Sequence, residues 1–174
     1  DEHKGVGLLL TALGMSGRHE LGLLVIGGKH EQELQAFRDL ARLAGVGDRV
    51  RASGWVPHTD VGHMMDSSIA GIVPLTDTPY NRRITSPLKI LDCFARSLPV
   101  IGADLPSVRY YVEDGVHGIL FEPDNPEALA AAMDRMTADN IAGKLAENVT
   151  GHARKYVWTE RGAGILSFIG RQRE

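Results

Sequence analysis

Apolar positions along the chain alternate between two kinds of spacing. From residue 6 to 15 they recur every three or four positions, which predicts a helix, and from 21 to 26 they form a short run that predicts a buried strand. The alternation continues, with strands predicted at 49–53, 69–75, 98–102 and 118–121 and helices at 31–43, 61–65, 87–97, 107–112, 126–136, 141–156 and 161–169. Buried strands separated by helices need crossover connections, so the pattern predicts an α/β fold with a doubly wound parallel sheet.

Residues that start or stop helices support these elements. Gly45 follows the second predicted helix and provides a C-terminal stop. Asn125 is placed to cap a helix whose first residue is Pro126. From about residue 126 onward only helices are predicted, and no linker or internal repeat interrupts the chain. We therefore expect one domain over residues 1–174 that ends in a helical tail.

Composition narrows the class of protein. The 174 residues are 43% apolar and 24% charged, as is typical of a soluble globular domain, and the formal net charge is −3. No basic stripe is available to follow a phosphate backbone, so we expect no nucleic-acid partner. The single cysteine, Cys93, lies in an apolar helical pattern and is interpreted as a small buried hydrophobe of a reducing cytoplasm.

The two ends and the apolar runs carry further expectations. No apolar run approaches the roughly 18 to 20 residues of a membrane span, so no transmembrane segment is expected. The chain begins at Asp1 without a methionine or a signal-peptide pattern, and we interpret it as a domain excised from a longer protein.

The loops that follow the predicted strands are the places to look for a ligand site. In an open parallel sheet, ligands bind beyond the carboxyl ends of the strands, which here means residues 27–29, 54–57, 75–87 and 102–107. Gly27 and Gly28 allow a close approach of the backbone to a ligand, although two glycines after a strand also form an ordinary turn.

The third of these loops combines a helix start with basic residues. Ser86 is expected to cap a helix that begins at Pro87, which would leave free N–H groups and a positive dipole end for a phosphate. Arg82 and Arg83 are candidates to neutralise a diphosphate beside it, although exposed arginines are often simply solvated. A Ser-Pro pair that only starts a helix is the alternative.

Asp92 is a carboxylate among apolar neighbours and needs a partner. It follows Ser86 by six residues, or about 9 Å along a helix, which is roughly the distance from a diphosphate to its ribose. It is therefore a candidate to accept both ribose hydroxyls, and a structural salt bridge is the alternative.

Other chemistries lack their sequence patterns. The seven histidines have no ligand-like spacing, Asp60 with His63 being the nearest approach to one, so no metal site is expected. A serine hydrolase would need Gly-x-Ser-x-Gly and a dinucleotide oxidoreductase would need Gly-x-Gly-x-x-Gly, and neither is present.

Several segments together resemble family 4 of the glycosyltransferases, the group 1 transferases. They are Lys4-Gly5, residues 24–28, 50–57, 86–92 and 99–104, and the most specific match at 113–123 leading into 125–129. The resemblance covers nearly the whole chain. It implies the Rossmann-like, C-terminal half of a two-domain GT-B enzyme, whose N-terminal acceptor domain is absent from these 174 residues.

The resemblance also implies an activity and a set of site residues. Members of this family transfer a sugar from a nucleotide diphosphate donor to an acceptor with retention of configuration, usually without a metal ion or other cofactor, and a glycan or lipid-linked acceptor is expected here. Gly54, Trp55 and Val56 would border the base and Asp92 would hold the ribose. The diphosphate would be held by Lys4 and the N–H groups around Ser86, Leu88 and Lys89, close to Gly27 and Gly28 of the first loop.

Two departures from the family pattern qualify this expectation. The family's two glutamates fall at Ile84 and Asp92, and an isoleucine cannot hydrogen-bond a sugar hydroxyl. The isolated half is also expected to be inactive by itself. A non-catalytic nucleotide-binding or scaffold module and one half of a sugar-nucleotide 2-epimerase are therefore kept as alternatives. The expected location is the cytoplasm, with peripheral contact to the inner membrane possible for the full-length protein.

Overall fold

The structure is a computed structural model that describes residues 4–171, with side chains described through residue 170. The helices are α1 (Val6–Met15), α2 (Glu31–Leu43), α3 (His58–Met65), α4 (Pro79–Arg83), α5 (Lys89–Ala95), α6 (Pro106–Arg109), α7 (Pro126–Met136), α8 (Ile141–His152) and α9 (Trp158–Arg171). The strands are β1 (Leu23–Val25), β2 (Val50–Ala52), β3 (Gly71–Val73), β4 (Val100–Ala103) and β5 (Gly118–Phe121). Short 3-10 segments occupy Gly47–Arg49 and Ala153–Tyr156.

All five strands run parallel to their neighbours, which confirms the predicted α/β class. They form two hydrogen-bonded sheets, one of β1 and β2 and one in the order β3-β4-β5. Leu24 pairs with Arg51 in the first sheet, and in the second Ile101 of the middle strand pairs with Ile72 and Ile119. Consecutive strands are joined through helices, as parallel pairing requires.

The main hydrophobic core surrounds the three-stranded sheet. Strand β4 is buried along its whole length, and α5, α7 and α8 contribute Phe94, Leu129 and Val149 to the same cluster. Two glycines allow this close packing, because a side chain at Gly71 would clash with the Cys93 sulfur and one at Gly118 with the backbone of β4.

A smaller cluster lies on the other side of α1. It consists of Leu10 and Leu13 of α1 with Ala41 of α2 and Val46. Leu9 and Ala12, on a different face of α1, belong to the main core. Helix α1 therefore packs between the two clusters and connects the region of β1 and β2 to the three-stranded sheet.

The described chain after Asn125 contains only helical elements. The bounds of α7 match the prediction, and the Asn125 side chain accepts a hydrogen bond from the Ala128 N–H at 2.9 Å with Pro126 in the first turn. Gly45 ends α2 in the left-handed region with φ of 71°. The one long helix predicted at 141–156 is instead α8 followed by a 3-10 segment.

Other boundaries differ from the prediction. The first and third strands are shorter than predicted, because only residues 23–25 and 71–73 make ladder hydrogen bonds. Helix α4 was not predicted at all and lies in a segment that we expected to be a loop. Its start has a recognisable signal, since Thr78 caps the Asn81 N–H at 3.1 Å and Pro79 fills the first turn.

Within residues 4–171, no helix is long and apolar enough to cross a membrane.

Candidate functional site

The loops after β1 and β2 meet at the carboxyl edge of their sheet. The Gly27 N–H donates a hydrogen bond to the Gly54 carbonyl at 3.1 Å, and both glycines and Gly28 have positive φ. The φ of 108° at Gly28 favours glycine, and a side chain there would in addition press on the end of the Leu34 side chain of α2. The structure thus brings these predicted site glycines together and also gives Gly28 a packing role.

The residues after Gly54 form an exposed rim. The Trp55 side chain is 67% exposed, and Val56 is half-buried beside it. An exposed indole at this rim offers a flat face on which a ring can stack. Of the predicted base-binding residues, Trp55 and Val56 are therefore accessible to a ligand, whereas Gly54 is buried.

Asp92 lies against the end of this same rim. Its carboxylate is 3.5 Å from Nε2 of His58, the first residue of α3, and the Asp92 side chain is 45% exposed. The contact joins α5 to the loop that carries Trp55. Asp92 thus has a partner in His58, and the contact is an ion pair only when the imidazole is protonated, while the carboxylate remains accessible to a ligand.

Two lysines approach each other near the start of α5. Partial desolvation, together with the nearby charge of Lys4, lowers the pKa of Lys89. Gly5, with φ of 65°, brings the chain around Lys4 into close contact with the backbone of Pro74 at the carboxyl end of β3. The neighbouring positive charges of Lys4 and Lys89 would attract a polyanion such as a diphosphate.

The start of α5 differs from the prediction. The helix begins at Lys89, two residues after Pro87, and its N-cap is the exposed residue Leu88. The Leu88 N–H donates to the Ser86 carbonyl at 2.8 Å, so the chain turns once before the helix starts. The Ser86 hydroxyl does not cap α5, because it lies 2.9 Å from the Tyr111 hydroxyl and shares a hydrogen bond with it.

Of the two predicted arginines, one has a partner inside the protein. The Arg82 guanidinium makes a two-pronged ion pair with Asp77, which raises the pKa of Arg82 and lowers that of Asp77. Arg83 makes no hydrogen bond or ion pair with any part of the chain that the structure describes. The two neighbours therefore differ in their availability to a ligand.

Arg83 faces a cleft of about 390 Å³ between α4 and α6, which we call the α4–α6 cleft. Its lining includes Arg83, Thr85, Ser86, Ser107, Tyr110 and Tyr111.

The hydrogen bonds that shape this cleft were missed by sequence reasoning. Asn81 is 2% exposed and accepts a hydrogen bond from Thr85 Oγ1 at 2.9 Å, while its backbone carbonyl accepts one from Ser107 Oγ at 2.6 Å. The Asn81 amide donates to the Thr76 carbonyl at 2.9 Å. No local pattern pairs residues that are 26 positions apart, so only the fold reveals this network.

Among the residues that the structure describes, neither Cys93 nor the histidines show the features of a reactive or metal-binding centre. Burial raises the pKa of the Cys93 thiol to about 12, which disfavours the thiolate. In the described part of the chain, no group of three His, Cys, Asp or Glu side chains is placed to hold a metal ion. His117 and His152 stack with ring centroids 3.7 Å apart, a pair that their spacing in sequence did not indicate.

Comparison with known proteins gives one consistent family. The profile of the family described as "Glycosyl transferases group 1" matches residues 1–139. D-inositol 3-phosphate glycosyltransferase of Frankia alni is 28% identical over 153 residues, 86% of this chain and 36% of the relative. The putative teichuronic acid biosynthesis glycosyltransferase TuaH of Bacillus subtilis is 29% identical over 142 residues, 79% of this chain and 33% of the relative. This chain thus spans about a third of the length of these curated relatives.

Solved structures show the same fold. Anabaena Alr3699/HepE in complex with UDP superposes with a TM-score of 0.81 at 19% identity, covering 98% of this chain and 46% of that one. Sucrose-phosphate synthase from Thermosynechococcus elongatus superposes with a TM-score of 0.82 at 25% identity, covering 99% of this chain and 43% of that one.

Proposed function

Because this chain belongs to the group 1 glycosyltransferases, we propose that it is the donor-binding, C-terminal half of a retaining glycosyltransferase. The full-length protein would transfer a sugar from a nucleotide diphosphate to a carbohydrate or lipid-linked acceptor, and the other half would bind that acceptor. The relatives named above are described as a D-inositol 3-phosphate glycosyltransferase and a putative teichuronic acid biosynthesis glycosyltransferase, which supports this class of reaction.

The observation that carries the proposal is the arrangement of charges along α5. Lys89 and Asp92 are three residues apart on this helix and so share a face. The Lys89 end lies near Lys4 and is positive, whereas the Asp92 end contacts His58 at the rim that includes Trp55. A nucleotide diphosphate has the complementary order, with negative phosphates, a ribose diol and an aromatic base.

In this proposal each part of the donor has its own group on the protein. Lys4 and Lys89 neutralise the diphosphate and stabilise the negative charge that develops on it as the sugar leaves, which is the task that a metal ion performs in other transferases. Asp92 accepts hydrogen bonds from the ribose hydroxyls, and Trp55 and Val56 pack on the base. No metal or other cofactor is then required.

The first test is isothermal titration of the 174-residue chain with UDP, GDP and ADP. UDP is the first choice because HepE, which has the same fold, was solved with it. We expect one nucleotide to bind, with affinity about tenfold lower for Asp92→Ala and for Lys89→Gln, as expected when a hydrogen bond to a charged group is lost.

Asp60→Ala is the matched control, since Asp60 is an exposed carboxylate on α3 that accepts a hydrogen bond from the neighbouring Thr59 hydroxyl at 3.1 Å. This variant should bind the nucleotide like the original chain. Binding that is unchanged in Asp92→Ala and Lys89→Gln, or binding of no nucleotide by the unaltered chain, would contradict the proposed site.

We further propose that the isolated half does not transfer sugar and that the full-length protein acts in the cytoplasm, at most peripherally on the inner membrane. A donor-hydrolysis and transfer assay on the 174-residue chain tests the first statement. Measurable transfer by this chain would overturn it.

One observation favours a second candidate, a nucleotide-binding module without catalysis. Ile84 is 70% exposed at the position where the family resemblance predicts a glutamate that binds the sugar. If the site has lost sugar binding, Ile84→Glu should strengthen the binding of a nucleotide sugar relative to the free nucleotide. In a working enzyme adapted to Ile84, the same substitution should leave that ratio unchanged or lower it.

A further inference from the structure

The α4–α6 cleft presents a positive charge that is separate from the lysines of the proposed nucleotide site. Three arginines lie in or near it, and two of them are neutralised by carboxylates within the protein. Arg82 pairs with Asp77, and Arg109 of α6 pairs with Asp104. Arg83 has no such partner in residues 4–171, and its neighbour Ile84 is exposed and uncharged. The cleft therefore presents one uncompensated guanidinium.

The walls around this guanidinium are held in place before any ligand arrives. Asn81 sits in α4 two residues before Arg83 and binds Thr85 through its side chain and Ser107 of α6 through its backbone. Ser86 and Tyr111 are joined by a hydrogen bond across the cleft. A polar network of this kind fixes the position of α4 relative to α6, so that little conformational entropy is lost on binding.

The remaining lining suits a sugar ring. The Tyr110 ring is 73% exposed and stands edge-on to Tyr111, with ring centroids 4.9 Å apart and planes at 83°. Its open face is apolar and flat, as is the C–H face of a pyranose, and its hydroxyl is a further donor and acceptor. Hydroxyls of Thr85, Ser86 and Ser107 border the same space.

We infer that the α4–α6 cleft binds a sugar that carries a carboxylate, with the carboxylate on the Arg83 guanidinium and the ring against Tyr110. Planar guanidinium groups bind carboxylates through two parallel hydrogen bonds, which gives charge and geometric selection together. The inference rests on the proposed function in one respect, since that function makes the bound sugar the one that is transferred. Ser86 links the two sites, because it borders both the cleft and the start of α5.

The test is a titration of the ¹⁵N-labelled 174-residue chain with free glucuronate, glucose and glucose 6-phosphate, followed by amide chemical shifts. We expect glucuronate to shift the amides of Arg83, Ser107 and Tyr110 and to bind at least about tenfold more tightly than glucose, as expected for a charge-assisted hydrogen bond. Arg83→Gln should abolish this preference.

Arg109→Gln is the matched control, since it removes the same charge from a neighbouring helix at a residue that already has a carboxylate partner. It should keep the preference for glucuronate. Equal binding of glucose and glucuronate, a response only to glucose 6-phosphate, or an unchanged preference in Arg83→Gln would each overturn the inference. Tyr110→Leu should weaken glucuronate and glucose alike, which separates the ring contact from the charge.

The nucleotide titration keeps the two proposals apart. If a nucleotide binds but glucuronate is not preferred, the cleft inference fails and the proposed function stands. If glucuronate binds through Arg83 but no nucleotide binds, the cleft is a sugar-acid site and the proposed donor function fails.

Discussion

The two sheets of this protein contrast in how deeply they are buried. In the sheet of β3, β4 and β5, the middle strand is fully buried and helices α5, α7 and α8 supply a large apolar cluster. In the sheet of β1 and β2, every residue is at least partly exposed, and the nearby cluster of described residues is limited to Leu10, Leu13, Ala41 and Val46. The three-stranded sheet therefore supplies most of the burial on which stability depends.

The candidate site draws on both regions. The rim with Trp55 belongs to the less buried sheet, whereas Asp92 and Lys89 stand on α5, which packs against the core of the other sheet. Segments with few buried contacts open at lower cost in free energy than a core does. In the proposed site, the base would therefore be held by the less buried region of β1 and β2, and the phosphates by α5 on the larger core.

The largest expected effect tests the contrast in stability directly. Leu129→Ala, in the main core, should lower the free energy of unfolding by about 4 kcal/mol, and Leu10→Ala, in the small cluster, by about 2 kcal/mol. Both leucines are almost fully buried, so the substitutions are chemically matched. Urea unfolding followed by circular dichroism measures both values. Equal losses would show that the small cluster packs as tightly as the large one.

A smaller change in stability should follow the pH and arise from His117 and His152, whose rings contact Phe94 of the main core. Burial is the largest cause of the lowered pKa values of His117 and His152. The charge of Lys155 lowers both pKa values further, and the charge of His152 lowers that of His117. The charge of Glu113 opposes both shifts. The unfolded chain then binds more protons below its histidine pKa of about 6.5. Stability should be complete above that pH and decrease as the pH falls toward the folded-state values.

Thermal midpoints between pH 7 and pH 5 measure this dependence. The lowered pKa values of Asp77 and Asp134 start from 3.8, so those carboxylates act below this window. His152→Gln should flatten the dependence of the thermal midpoint on pH. Any overall lowering of the midpoint would follow because the Tyr156 hydroxyl and the Tyr111 carbonyl lose a shared partner. A slope unaffected by His152→Gln would disprove the assignment.

The smallest expected change in stability concerns Trp55, at the exposed rim of the less buried sheet. Trp55→Ala removes a large side chain that is two-thirds exposed, so the free energy of unfolding should change by no more than about 0.5 kcal/mol. Nucleotide affinity should nevertheless fall by about tenfold with the loss of base stacking. Unfolding and titration on the same sample check both, and a large loss of stability without a loss of affinity would assign Trp55 to folding.

The sequence predicted those parts of the fold that depend on local patterns. The order of the five strands, the helix ends at Asn125 and Gly45 and the burial of Cys93 all follow from spacing or from single residue types, and the structure confirms them. Helix α4 was missed although Thr78 and Pro79 mark its start, since five residues are too few for a helical period to be visible.

For the candidate site, the sequence identified the loops and several residues, but not how these residues interact. It indicated both Arg82 and Arg83, and only the folded chain shows that Asp77 neutralises the first. It expected Ser86 to cap α5, whereas the Tyr111 hydroxyl binds it instead from 25 residues away. A local pattern states which groups are available and does not state which of them compete for the same partner.

By itself, therefore, the sequence determined the α/β class, the order of the elements and the loops at the carboxyl ends of the strands, because hydrophobic periodicity acts within a few residues. The tertiary structure decided that Asn81 organises the α4–α6 cleft, that His117 stacks on His152 and that Arg83 keeps its charge uncompensated among the described residues. These outcomes depend on which distant side chains meet when the helices pack onto the sheet.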